Sequence, residues 1–129
     1  MRVLIVEDDS AVSQLLQDSL ARRHHVIAGA ARGLDAGLRL AGSAEYDCAI
    51  VDVDLAGTEA LPLVELLEAR SRPFVLITGL FTEDISSPRL QAMPLLFKPF
   101  DCHALDVAID RACAAAAEQA GSSHLTALH

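Results

Sequence analysis

Lysine is almost missing from this chain. Nine of its ten basic residues are arginine and one, Lys98, is lysine, so any lysine chemistry has one place to occur. Aromatics are scarce too, at 4% with no tryptophan, and the core must be built from Leu, Val, Ile and Ala. The three cysteines, Cys48, Cys102 and Cys113, are odd in number and lack CxxC spacing. That argues against a disulfide framework and a zinc site, and for small apolar fillers in a reducing compartment. No uninterrupted apolar run approaches the ~20 residues of a membrane span. No charged leader precedes an apolar stretch either, which predicts a soluble, cytoplasmic protein. Positive charge is also in deficit. Ten basic residues against eighteen acidic ones leave a formal charge of -8, which phosphate backbones and anionic membranes repel, so neither nucleic acid nor membrane is expected as a direct partner.

What is present, in 129 residues with 52% apolar content, is enough for one globular core. Short apolar runs fall at Val3–Val6, Cys48–Val51, Phe74–Ile77 and Leu95–Phe97. They read as strands buried on both faces, the mark of a parallel sheet. A weaker run, His25 to Ala28, fits between the first two. Helical periodicity separates them: Val12, Leu15, Leu16 and Leu20; Leu34, Leu38 and Ala41; Leu63, Leu66 and Leu67; and Leu105, Ala108, Ile109, Ala112 and Ala116. The alternation predicts five strand–helix units, (βα)5, in a doubly wound α/β sheet with helices on both faces. Ser86, Ser87 and Pro88 interrupt the fourth helix, which should be short or irregular and begin near Ser86 or Ser87. Gly121 is expected to end the last helix, giving a domain over 1–120 and a C-terminal tail over 121–129.

Ligands in such folds bind at the carboxyl ends of the strands. The residues just past the apolar runs are Glu7, Asp8, Asp52, Thr78 and Lys98. Carboxylates from two neighbouring strands converging on one point suit Mg²⁺, which would relieve their mutual repulsion. A hydroxyl and an ammonium beside them suit a phosphoryl group, and an aspartate can itself be the nucleophile, forming an acyl phosphate. Asp9, followed by Ser10, is assigned instead to the start of the first helix, where a carboxylate complements the dipole.

These positions resemble the receiver domain of two-component response regulators, a five-stranded flavodoxin-like three-layer sandwich. The resemblance covers residues 1 to about 118. The family's acid pair is matched by Glu7 and Asp8, its phosphoacceptor by Asp52 in YDCAIVDVDLAG, its strand-four hydroxyl by Thr78 in VLITG, and its Lys-Pro by Lys98 and Pro99 in LLFKPFD. The resemblance implies that Asp52 accepts a phosphoryl group from a histidine kinase or histidine phosphotransfer protein. It also implies Mg²⁺ held by Asp8, Asp52, the backbone carbonyl of Asp54 and, through water, Glu7. Lys98 would pair with a phosphate oxygen across a cis bond to Pro99. Thr78 would move toward the phosphoryl group and shift a surface read by a protein target. A chain of this kind is a signalling phosphoacceptor, not an enzyme, and a homodimer is compatible with it.

Three departures stand out. Leu95 replaces the aromatic three residues before the lysine, which leaves the loop Gly79–Asp84 as the route of output; its Phe81 either substitutes in part for the aromatic or is a partner contact or simple packing. Ala56 replaces the usual proline and reads as tolerated variation. Asp54 sets a second carboxylate near the phosphoryl group, where it either alters phosphoryl lifetime or points to solvent. Two alternatives remain. Asp52 and Asp54 spell the D-x-D of haloacid-dehalogenase-type phosphatases, though without their motif order, and a pseudo-receiver would bind partners without phosphorylation.

Overall fold

The computed structural model describes residues 1–127; residues 128 and 129 lie outside it. Five parallel strands, β1 (Arg2–Val6), β2 (Val26–Ala31), β3 (Cys48–Asp52), β6 (Phe74–Thr78) and β7 (Leu95–Phe97), form one sheet in the order β2-β1-β3-β6-β7. Around it lie α1 (Ser10–Arg22), α2 (Leu34–Ser43), α3 (Leu61–Ala69), the single turn α4 (Pro88–Gln91) and α5 (Cys102–Ala127). A small antiparallel hairpin, β4 (Asp54–Leu55) and β5 (Thr58–Glu59), follows β3.

Strand periodicity of two sorts the apolar side chains into two layers. Leu4, Val6, Ala49, Val51 and Leu76 face one cluster with Leu63, Val64 and Leu67 of α3. Val3, Ile5, Cys48, Ile50, Val75 and Ile77 face the other, with Leu16 and Leu20 of α1 and Leu105 and Ile109 of α5. The expected three-layer sandwich is therefore present. Cys48 acts as core filler, and burial pushes its thiol up to about 12. At Gly37 of α2 the backbone comes so close to β1 that a Cβ would sit 2.9 Å from Val6 Cγ1.

The edge strand β2 begins and ends later than the expected His25–Ala28. His24 adopts φ 64° and the His25 N–H donates to Leu20 O, so both histidines still belong to the turn that closes α1. The later half of β2, Gly29-Ala30-Ala31, is too small to register as an apolar run. α4 matches its expectation: the Ser87 hydroxyl caps it by accepting from the Leu90 N–H. Asp101 accepts from the Ala104 N–H at 2.8 Å at the start of α5. That helix continues past Gly121, where the sequence suggests an end. One interior glycine costs a helix only about 1 kcal/mol relative to alanine, and Ala114–Ala117 precede it.

The hairpin β4–β5 gives no signal in hydropathy. It turns through Ala56 at φ 52° and Gly57 at φ 88°, two consecutive left-handed residues as in the tight turns that match strand twist. Ala56 is thus not a neutral stand-in for proline, whose ring fixes φ near -65° and could not adopt this turn. Ala56→Gly should raise stability by up to about 1 kcal/mol, since relief of left-handed strain exceeds glycine's entropic cost. Thermal unfolding measures this directly, and a lowered midpoint would contradict it.

Candidate functional site at the carboxyl edge of the sheet

Register alone aligns the site. Val6 pairs with Val51, Asp52 with Ile77 and Thr78 with Phe97, so the residues that follow or end these strands emerge along one edge. Of the four buried polar residues among those described, three lie there: Glu7 at 0% exposure, Asp52 at 4% and Thr78 at 0%. Burying polar groups together is costly unless each finds partners.

The partners are mutual. Lys98 Nζ donates to Asp52 Oδ2 at 2.7 Å and to Glu7 Oε2 and Oε1 at 3.0 and 3.1 Å. Its bond to Pro99 is cis, as expected, and its own N–H donates to Thr78 O at 2.8 Å. Asp52 Oδ1 accepts from the Asp54 N–H at 3.0 Å, and Glu7 Oε1 from the Asp9 N–H at 3.2 Å. Glu7, Asp8 and Asp52 each offer a carboxylate oxygen within 4.8 Å of the other two. They share a cleft of about 220 Å³ with Asp9, Asp54, Gly79, Leu80 and Lys98.

Three hard oxygen donors with one ammonium leave a net negative cleft, a donor set that fits a small divalent cation keeping several waters. Asp9 borders the cleft, but its Oδ1 caps α1 by accepting from the Ala11 and Val12 N–H groups at 2.9 and 3.3 Å. It stands outside the three-carboxylate group, as its place at the helix start predicts.

Thr78 does not line the cleft. Its Oγ1 accepts from the Leu80 N–H at 2.9 Å, a contact with no sequence signal beyond its place after a strand. Asp54 does line it. Its Oδ1 nevertheless accepts from the Gly57 N–H at 3.1 Å within its own hairpin, an unsuitable posture for the general acid of a D-x-D phosphatase. Leu95 is half-buried against the α3-side core, whereas Phe81 is 73% exposed.

Burial pushes the Glu7 carboxyl up to about 7, assisted by hydrogen bonding to and the charge of Asp52 and opposed by Lys98 and the Asp9 N–H. Burial would lower the Lys98 ammonium, but its bonds to Asp52 and Glu7 outweigh that and hold it above its ordinary value. A carboxyl with a raised folded-state pKa favours folding in its protonated form. Glu7's contribution is therefore complete below its unfolded value of 4.5 and lost as pH rises through about 7. Without divalent cation, the melting temperature of wild type relative to Glu7→Gln should rise as pH falls across that window. With Mg²⁺ the dependence should shrink, because the cation favours the carboxylate. A difference flat in pH would refute the assignment.

Comparison with known proteins gives a consistent picture. Residues 3–110 match the family model described as the response regulator receiver domain. The probable transcriptional regulatory protein SilR of Salmonella typhimurium is 34% identical over 104 residues, covering 78% of this chain and 45% of that protein. The chain thus spans under half the length of that relative. The solution structure of SdrG from Sphingomonas melonis Fr1 superposes with a TM-score of 0.76 at 31% identity, covering 87% of this chain and 95% of that one. The BeF3-activated conformation of SdrG from Pseudomonas melonis Fr1 does so with a TM-score of 0.72 at 32% identity, covering 87% and 95%.

Proposed function

This chain belongs to the response regulator receiver domain family, and from that premise we propose that it is the phosphoacceptor of a two-component phosphorelay, with Asp52 as the residue modified. The observation that carries the reading is Lys98 Nζ bridging Glu7 and Asp52 inside the three-carboxylate group. This is an acidic cleft holding one fixed cation and room for another.

A carboxylate oxygen of Asp52 attacks the phosphorus of a phosphohistidine on a histidine kinase or phosphotransfer protein. The P–N bond breaks, its electron pair returns to the imidazole, and solvent supplies the proton. Asp8, Asp52, the Asp54 backbone carbonyl and, through water, Glu7 would hold Mg²⁺, which would supply charge neutralisation at the transferring oxygens. Lys98 moves from the Asp52 carboxylate to a phosphoryl oxygen. The Thr78 oxygen accepts from Leu80, so its O–H remains free to donate to another. Leu95 lacks the hydroxyl and ring of the usual switch residue, and it fills core instead.

The receiver family model covers residues 3–110, and α5 runs on to Ala127, so the unit extends beyond the 1–120 that the sequence suggests. With a charge of -8 it works through a protein target and not by touching nucleic acid. No described helix is long and apolar enough to cross a membrane. SdrG, a relative of similar fold, has a BeF3-activated form, which supports a like response here.

Incubation with acetyl phosphate and Mg²⁺ should yield an acyl phosphate that borohydride reduces to homoserine at position 52, identified by peptide mass spectrometry. Homoserine elsewhere, or none, would defeat the proposal.

A further inference from the structure

The hairpin β4–β5 stands between Asp52 and α4, and its contacts are continuous in both directions. On the site side, the Asp54 N–H donates to Asp52 Oδ1 at 3.0 Å. Across the hairpin, Asp54 is the ladder partner of Glu59. On the far side, the Glu59 carboxylate accepts from the Ser86 N–H at 2.6 Å and the Ser87 N–H at 3.0 Å. These are the last two residues before α4, and Ser87 is its cap. Among the described contacts, α4 is otherwise held by burial of Leu90, by Gln91 Nε2 donating to Thr82 O and Ile85 O, and by the exposed Arg89–Glu68 pair. A single helical turn with so few ties belongs to the low-stability end of a fold, where small forces move an element.

We infer that Glu59 is a positioning residue that couples the state of the Asp52 carboxylate to the position of α4 through the β4–β5 hairpin. The inference rests on the reading of Asp52 as phosphoacceptor. Once Asp52 carries a phosphoryl group its carboxyl becomes a neutral acyl centre, the charge now lying on the phosphoryl oxygens, and its remaining carbonyl oxygen is a weaker acceptor for the Asp54 N–H, which those phosphoryl oxygens also compete for. The hairpin is the element attached at that N–H. Because Glu59 grips two consecutive N–H groups, a shift of the hairpin is felt at the start of α4 without any aromatic at position 95.

A mutant cycle separates this coupling from phosphorylation itself. Amide hydrogen exchange at Ser86, Ser87 and Leu90 is measured by NMR for wild type, Asp52→Ala, Glu59→Gln and the double variant. Asp52→Ala removes the Asp54 N–H acceptor, and in the Glu59 background it should speed exchange at these amides by at least about threefold. In the Glu59→Gln background it should leave them within error. Equal effects in both backgrounds would overturn the inference even if Asp52 accepts phosphate normally. A second arm adds beryllofluoride and Mg²⁺ to wild type and Glu59→Gln, with fluorine NMR reporting adduct formation separately from the α4 amides. Adduct formation with the α4 response lost in Glu59→Gln supports the coupling, and adduct formation with the response intact refutes it. Failure of wild type to form any adduct would count against the phosphoacceptor reading, and the cycle would still decide the coupling.

Discussion

Asp52→Asn should reduce phosphoryl uptake from acetyl phosphate or a phosphohistidine donor by on the order of a thousandfold or more, since removing a nucleophile removes the chemical step itself. The amide nitrogen cannot form the acyl phosphate, and the adjacent Asp54 cannot replace it while its carboxylate is turned to the Gly57 N–H. The fold should survive. Asparagine keeps an oxygen to accept from the Asp54 N–H, and Lys98 retains both bonds to Glu7. A second consequence follows at Glu7, which the bond and charge of Asp52 both help to raise. With that charge gone its pKa should fall, and the pH dependence of stability should move to lower pH. Radiolabelled phosphoryl incorporation tests the first effect and pH-dependent melting the second. Residual uptake near the wild-type rate would mean that another carboxylate is the acceptor.

The sheet and its site were readable from sequence wherever burial on both faces forced a continuous apolar run. β1 and β3 are fully buried or nearly so, and the residues that end or follow them had to be the polar edge. Glu7, Asp8, Asp52, Thr78, Lys98 and cis-Pro99 thus stand where the motif order puts them. The edge strand β2 was poorly bounded because one side of it has no neighbour. Gly29 fits beneath Leu40, and neither it nor the two alanines after it carries a hydropathic signature. The hairpin was invisible for a different reason. It is held by two side-chain to backbone bonds, from Asp54 N–H to Asp52 and from Gly57 N–H to Asp54, and it turns through a left-handed alanine that propensity argues against. The grip of Glu59 on Ser86 and Ser87 joins residues distant in sequence, and no periodicity or spacing encodes it. The regular parts of the fold, which fix the chemistry, were accordingly legible. The irregular parts, the hairpin and the segment before α4, were not.

Lys98→Met should have the largest effect on the stability of the cation-free protein. It removes the one lysine ammonium in the chain from between two buried carboxylates while keeping a side chain of similar length. The Lys98 side chain is only 22% exposed and those of its partners 0% and 6%, so the pair is closer to a buried than a surface ion pair. Deleting one partner of a buried pair costs on the order of 3 kcal/mol, mainly because the surviving charge is left uncompensated. Here the penalty has a ceiling, because Glu7 can escape it by taking up a proton. The loss should therefore be greatest above pH 7, where wild-type Glu7 is mostly ionised, and smaller in mild acid. Divalent cation should reverse the deficit. The variant cleft carries one more negative charge, and Mg²⁺ should bind about tenfold more tightly and restore much of the melting temperature. Stability and cation binding thus move in opposite directions, a pattern that simple core damage does not produce. Calorimetric Mg²⁺ titration and melting curves at two pH values check it. Equal stability of variant and wild type without cation, or unchanged Mg²⁺ affinity, would show that the ammonium is not what allows Glu7 and Asp52 to share the site.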